Sequence, residues 1–192
     1  MVNLTKINPR PKRICSIDAS TNSIAFAIFN DKVLEKYGKI NFLGTNTYEK
    51  VIDAARKSLG VFKLFEVDSI VIEHTVYMNS PKTAADLALV QGAMLGAAGI
   101  NMVKIGGSIN PIAWQTFIGN GKLTTSEKLD IVNKNPDKSK SWYKTKEREI
   151  RKQKTINFVN INYDLSVTDN DVADAIAIGH YSLLNWDKIA RS

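Results

Sequence analysis

Three short apolar stretches of this 192-residue chain carry carboxylates into surroundings that should exclude them. Asp18 ends the run Ile14-Cys15-Ser16-Ile17-Asp18, and Glu73 ends Ile70-Val71-Ile72-Glu73. Asp171 and Asp174 open the apolar stretch 171–178. Desolvating an isolated carboxylate is costly unless something pairs with it. A fold that buries these runs must therefore gather its acids or give each a partner, and a shared divalent cation satisfies several at once.

The runs around the acids set the architecture. Ile14 to Asp18 and Ile24 to Phe29 are β-rich and separated by Ala19-Ser20-Thr21-Asn22-Ser23, a cluster of small turn formers, which predicts a hairpin. Asn30-Asp31-Lys32 turns into a third strand over 33–42. Val51, Ile52, Ala55, Leu59, Phe62 and Phe65 are helically spaced and predict a helix over 48–65, capped by Asn46 or Thr47. The nearly all-apolar run 67–73 suits a strand covered on both faces.

Residues 83–98, rich in Ala and Leu, predict a helix whose Gly92 and Gly96 allow close packing on a neighbour. A short fifth strand is expected over 101–105 and a Pro-initiated helix over 111–118. Gly119-Asn120-Gly121 reads as a flexible loop and 126–133 as a helix. The Lys/Arg-rich stretch 137–154 is helical or disordered. The last helix, about 171–186, is apolar nearly all round and so must be buried. The order βββαβαβ followed by helices gives an α/β fold on a mixed sheet.

Composition narrows the class of protein. At 44% hydrophobic and 23% charged residues the chain reads as an ordinary globular domain, expected over 14–190 behind a flexible basic leader over 1–13. The leader has no apolar segment behind it, so it is not read as a secretory signal. No uninterrupted apolar run approaches the roughly 20 residues that span a bilayer, and no membrane association is expected. The single cysteine, Cys15, precludes an internal disulfide, fits a reducing cytoplasm, and is read as a small buried hydrophobe. The net charge of +7 is concentrated between Lys122 and Lys154, where eleven Lys/Arg face five Asp/Glu for a net of +6. Such a segment is either a solvated helical face or a polyanion site. On the second reading Lys138, Lys140, Lys144, Lys146, Arg148, Arg151 and Lys152 bind DNA.

Asp18 and Glu73 each close a strand expected to be central, and the carboxyl ends of such strands border the usual ligand crevice. Asp171 and Asp174, three apart, share one helical face. Docking that helix across the sheet would collect four hard oxygen ligands, which select Mg²⁺ or Mn²⁺ over Zn²⁺. Two such ions about 3.5–4 Å apart support phosphodiester cleavage. Each acid also has a structural reading. Asp18 can bond the following turn, Glu73 can pair with a lysine, and Asp171 and Asp174 can complement the helix dipole. His74 and His180 add little, and His180 is read as a packing residue. No Walker loop, zinc spacing or Ser/His/Asp set is present.

Taken together the motifs resemble those of the RuvC-type Holliday junction resolvases, a branch of the RNase H-like nucleases. They are Ile17-Asp18-Ala19-Ser20, Ile72-Glu73, and Asn170-Asp171-Val172-Ala173-Asp174-Ala175-Ile176-Ala177, close to the family's closing D-x-x-D-A pattern. Asn79-Ser80-Pro81-Lys82-Thr83 through Gln91-Gly92 resembles the loop and helix after the family's glutamate. Pro111 to Gln115 and Ser126-Glu127-Lys128 fall where the family faces its junction. The match spans about residues 13–185.

The resemblance implies an RNase H-like fold with a five-stranded mixed sheet flanked by helices. It implies Mg²⁺-dependent cleavage (Mn²⁺ substituting) of four-way junctions, and of other branched DNA, by a homodimer that leaves paired nicks in a bacterial or phage-infected cytoplasm. By position Asp18, Glu73, Asp171 and Asp174 would be metal ligands. Lys128 would lie near the scissile phosphate, assisted by Lys122. Tyr77 or Val76 would occupy the loop that wedges into the junction, Tyr77 being the better candidate because stacking needs a π-face, and Lys82 would bind DNA. Two departures bear on this: Trp114 replaces a lysine of bacterial members, and 135–159 is a longer, more basic insertion typical of divergent phage relatives. An actin-like ATPase shares the strand-Asp-turn-strand opening, but needs glycine-rich phosphate loops and usually two domains. A non-catalytic junction binder would gain nothing from clustered like charges beside DNA phosphates.

Overall fold

A computed structural model describes residues 10–74 and 80–189. Its centre is one five-stranded sheet in the order β3-β2-β1-β4-β5. Strands β1 (Arg13–Ala19), β2 (Ser23–Asn30) and β3 (Val33–Asn41) form the expected antiparallel meander. β4 (Ser69–Glu73) and β5 (Lys104–Ile109) add in parallel to the other edge of β1. The leader ends earlier than expected: Arg13 opens β1 and bonds Glu35 and Glu66 at 3.1 and 3.0 Å.

Helix α1 (Thr47–Leu64), capped by Asn46, and helix α2 (Pro81–Ile100), capped by Ser80, cover one face of the sheet. The side chains beneath them are Cys15, Ile17, Ile24, Phe26, Ile28, Ile70 and Ile72. Burial pushes the Cys15 thiol up strongly, as befits an inert core residue. The opposite face is closed by α6 (Asn170–Leu184), which packs on Ile14, Ala25, Ala27, Phe29 and Val71. Here the all-round apolar character is explained, since eight α6 residues are buried. His180 is a packing residue, with the Tyr163 hydroxyl 2.8 Å from its Nδ1 and Phe158 edge-on.

Around α6 stand α3 (Pro111–Phe117), α4 (Thr125–Lys134), α5 (Lys140–Tyr163) and α7 (Trp186–Ile189). The basic stretch is thus an ordered helix of 24 residues that runs past the basic run to Tyr163. Its far half is anchored in the core by Ile156 and Val159.

Two expectations are corrected. The fifth strand lies at 104–109 rather than 101–105, because Asn101 ends α2 and Met102 turns with φ +55°. Gly106 belongs to the strand because a Cβ there would come within 2.4 Å of Trp186 on α7. Gly92 and Gly96 do not mark a close contact; nothing lies within 4 Å of where their Cβ atoms would be. They belong to an exposed face of α2 with Leu89, Leu95 and Ile100. That helix has the length and apolarity to cross a membrane, yet only 28% of its most apolar window is buried.

Candidate active site

Strand alternation decides where the first two acids point. Ile14, Ser16 and Asp18 share the α6 face of β1, and Val71 and Glu73 share it on β4. The parallel register pairs Ile17 with Ile72, so Asp18 and Glu73 stand side by side at the carboxyl ends of adjacent strands. Helix α6 is pressed onto the same face through Gly179, where a Cβ would come within 2.1 Å of Phe29 and 2.6 Å of the Ser16 hydroxyl. That hydroxyl donates to the Ala175 carbonyl at 2.7 Å. This contact fixes the first turns of α6, and with them Asp171 and Asp174, over the strand ends.

The four carboxylates share one crevice, and their charges interact. Burial holds Asp18 well above the ordinary carboxylate range, with Glu73, Asp174 and Asp171 adding in that order. Burial likewise lifts Asp174 to about 7, reinforced by Glu73 and Asp171. Glu73 is raised by burial. Protons are therefore retained at the site unless a cation compensates, as expected for like charges in a low-dielectric crevice.

Three of the acids have partners. The indole N–H of Trp114 donates to Glu73 Oε1 at 2.8 Å, so a neutral donor stands where the alternative structural reading allowed a lysine. Thr155 hydrogen-bonds Asp174, and the Asn120 amide donates to Thr155 Oγ1 at 2.7 Å. Lys39 Nζ lies 2.6 Å from Asp171 Oδ2 and 3.1 Å from Asp169, the residue that caps α6. Lys39 belongs to a row across the sheet: it pairs with Ala25, which pairs with Asp18. The small Ala25 leaves room for the long side chain to reach toward the crevice. Asp18 accepts from no donor among the described residues, and the turn after it is tied instead by Ser20.

The donor set suits a hard divalent ion: four carboxylates, three of them raised by burial, with one lysine in compensation. Among the described residues no three acids, histidines or cysteines stand ready to ligate one ion as they are placed.

Other expected site residues are more dispersed. Arg148, Arg151 and Lys152 line a cavity that Asp174 also lines. Lys128, on α4, pairs with Glu147 at 3.1 Å, and Lys146 with Glu149 at 3.0 Å. Lys138 lies 6.0 Å from the Trp142 ring centroid. Lys82, Lys122, Lys140 and Lys144 are exposed. Tyr77 and Val76 lie outside the described residues. Lys39, Asn120 and Thr155 had no signal in the sequence, and Trp114 registered only as a departure from a family pattern.

No family model matches the chain, and no curated protein matches its sequence. A mixed 3-2-1-4-5 sheet flanked by helices, with acids at the ends of β1 and β4, defines the RNase H-like fold. The chain has that fold, and within it resembles the RuvC resolvases. Thermus thermophilus RuvC in complex with a Holliday junction substrate superposes with a TM-score of 0.66 at 13% identity, covering 90% of this chain and 94% of that one. A second Thermus thermophilus RuvC structure gives 0.64 at 14% identity with the same coverage. The yeast mitochondrial Holliday junction resolvase Ydc2 gives 0.52 at 12% identity, over 95% of this chain and 81% of that one.

Proposed function

We propose that this protein is a divalent-metal-dependent, structure-selective DNA endonuclease that resolves four-way junctions, and other branched DNA, by phosphodiester hydrolysis. The observation that carries this reading is the convergence of Asp18, Glu73, Asp171 and Asp174 on one crevice flanked by the cationic face of α5. The likeness in fold to a RuvC in complex with a Holliday junction substrate supports branched DNA as the substrate class.

Bound Mg²⁺ or Mn²⁺ would supply Lewis-acid polarisation of the phosphodiester and a water activated at neutral pH. The chain contributes position. β1 and β4 fix Asp18 and Glu73, α6 brings Asp171 and Asp174, Trp114 aims Glu73, and Thr155 aims Asp174. The cations of α5 attract the backbone.

Paired nicks require two such sites, and α2 offers the surface that would join them. Its exposed face combines Leu89, Leu95 and Ile100 with Gly92, Gly96 and Gly99, small enough to let a second helix approach closely. An exposed apolar face of that extent suits an isologous contact between two copies.

The direct test is to incubate the protein with Mg²⁺ or Mn²⁺ and a panel of linear duplex, fork, flap and four-way junction DNAs, and to map the nicks. Paired nicks across the four-way junction are expected. Asp174→Asn should abolish cleavage while retaining or improving junction binding, because it removes a ligand and a negative charge. Full cleavage by that variant would sink the assignment of the site.

A further inference from the structure

Next to the carboxylates, α3 and α5 enclose a cavity of about 170 Å³. At roughly 30 Å³ per water this is space for about half a dozen waters, enough for one tetrahedral anion and too little for a base pair. Arg148, Arg151 and Lys152 line one side, Trp114 and Gln115 the other, and Asp174 is shared with the crevice. The buried Asn120–Thr155 pair completes the lining. Residues 148, 151, 152 and 155 follow a single helical face of α5.

The cations on that face differ from their neighbours on the same helix. Lys146 and Lys154 are neutralised by Glu149 and Glu127 at 3.0 and 2.6 Å. Among the described residues no carboxylate lies within ion-pair distance of Arg148, Arg151 or Lys152. Arg151 is half-buried, and its Nη2 donates to the neutral Gln115 Oε1 at 2.5 Å, which fixes the guanidinium plane. Its buried Nε has no acceptor among the described residues. A half-buried guanidinium whose Nη2 meets one neutral amide and whose buried Nε meets no acceptor has room for an anion, and its planar fork matches phosphate.

We infer that this cavity seats a backbone phosphate of the strand being cut, so that α5 fixes the path of that strand across the carboxylates. The anion class rests on the cavity itself; the assignment to a cut DNA strand rests on the nuclease reading above.

The test uses the full chain carrying Arg148→Gln, Arg151→Gln and Lys152→Gln together. Its control carries Lys32→Gln, Lys36→Gln and Lys63→Gln, which removes the same charge from β3, the turn before it and α1. Inorganic phosphate is titrated in chelator, followed by NMR shifts of amides around residues 115 and 151. Single-turnover junction cleavage is measured at saturating protein with Mg²⁺. The seat variant should bind phosphate at least ~10-fold more weakly, about 1.4 kcal/mol, and cut at least ~10-fold more slowly, with the control like wild type in both. Circular dichroism checks the fold, and Lys152→Gln alone should shift both readouts in the same direction should the triple variant be unstable. Unchanged phosphate binding in the seat variant, or an equal loss in the control, overturns the seat. Weakened phosphate binding with an unchanged cleavage rate overturns its assignment to the cut strand. Should wild type bind phosphate there yet cut no branched DNA, the nuclease reading fails and the anion seat stands.

Discussion

Glu73 is useful to a metal only if it is aimed, and Trp114 aims it through one hydrogen bond from a side chain that is 1% exposed. Trp114→Phe keeps most of the buried ring and removes the donor. Outer partners of this kind are worth about 10–100-fold in metal affinity or activity. A loss of that size in Mn²⁺ affinity is expected by calorimetry, at a stability cost below the 3–5 kcal/mol typical of Trp→Ala; unchanged Mn²⁺ affinity would contradict the role. Lys39 shows why part of this site was illegible beforehand. Nothing near Lys39 in the chain marks it. It meets Asp171, 132 residues away, only because the β1–β2–β3 register places it in line with Asp18 over a small Ala25. The acids themselves were legible because a charge inside an apolar run is anomalous in any fold.

At the scale of elements, α2 presents apolar residues on both sides, and among the described residues only one side is packed. Leu89→Glu with Leu95→Glu should convert a dimer to a monomer in analytical ultracentrifugation. It should also turn paired junction nicks into single ones, with little change in monomer stability because both side chains are exposed. A variant that stays dimeric would assign that face elsewhere. The expected glycine contact in this helix is absent because Gly92 and Gly96 face away from the sheet, with nothing within 4 Å of where their Cβ atoms would be. β5 was misplaced because Gly106-Gly107 reads locally as a loop. Only the approach of Trp186 and Ile189 explains glycines inside a strand. Likewise the ambiguity over the basic stretch is resolved by Ile156 and Val159, which give α5 a buried anchor.

For the whole molecule, the crowded carboxylates link folding to pH. Without divalent ions Asp174 titrates near 7 when folded, against about 4 for an unfolded Asp. Between those values the folded state holds more protons than the unfolded state, so stability falls as pH rises through the window. Asp18 and Glu73 act in the same direction. In chelator, Tm should therefore drop by several degrees between pH 5 and 7.5. Asp174→Asn should flatten that slope, and saturating Mg²⁺ should reverse it, since metal binding requires the protons to leave. A Tm that rises over this range in chelator would contradict the crowding.

The sequence by itself determined the strand order, the mixed sheet, the burial of α6 and the presence of four acids in apolar runs. Periodicity and desolvation are local properties, and each can be read along the chain. Only the tertiary structure decided which side chains meet those acids and, among the described residues, which cations of α5 make no ion pair and which face of α2 is left open. Those depend on register, on helix docking through Gly179, and on contacts between residues far apart in the chain.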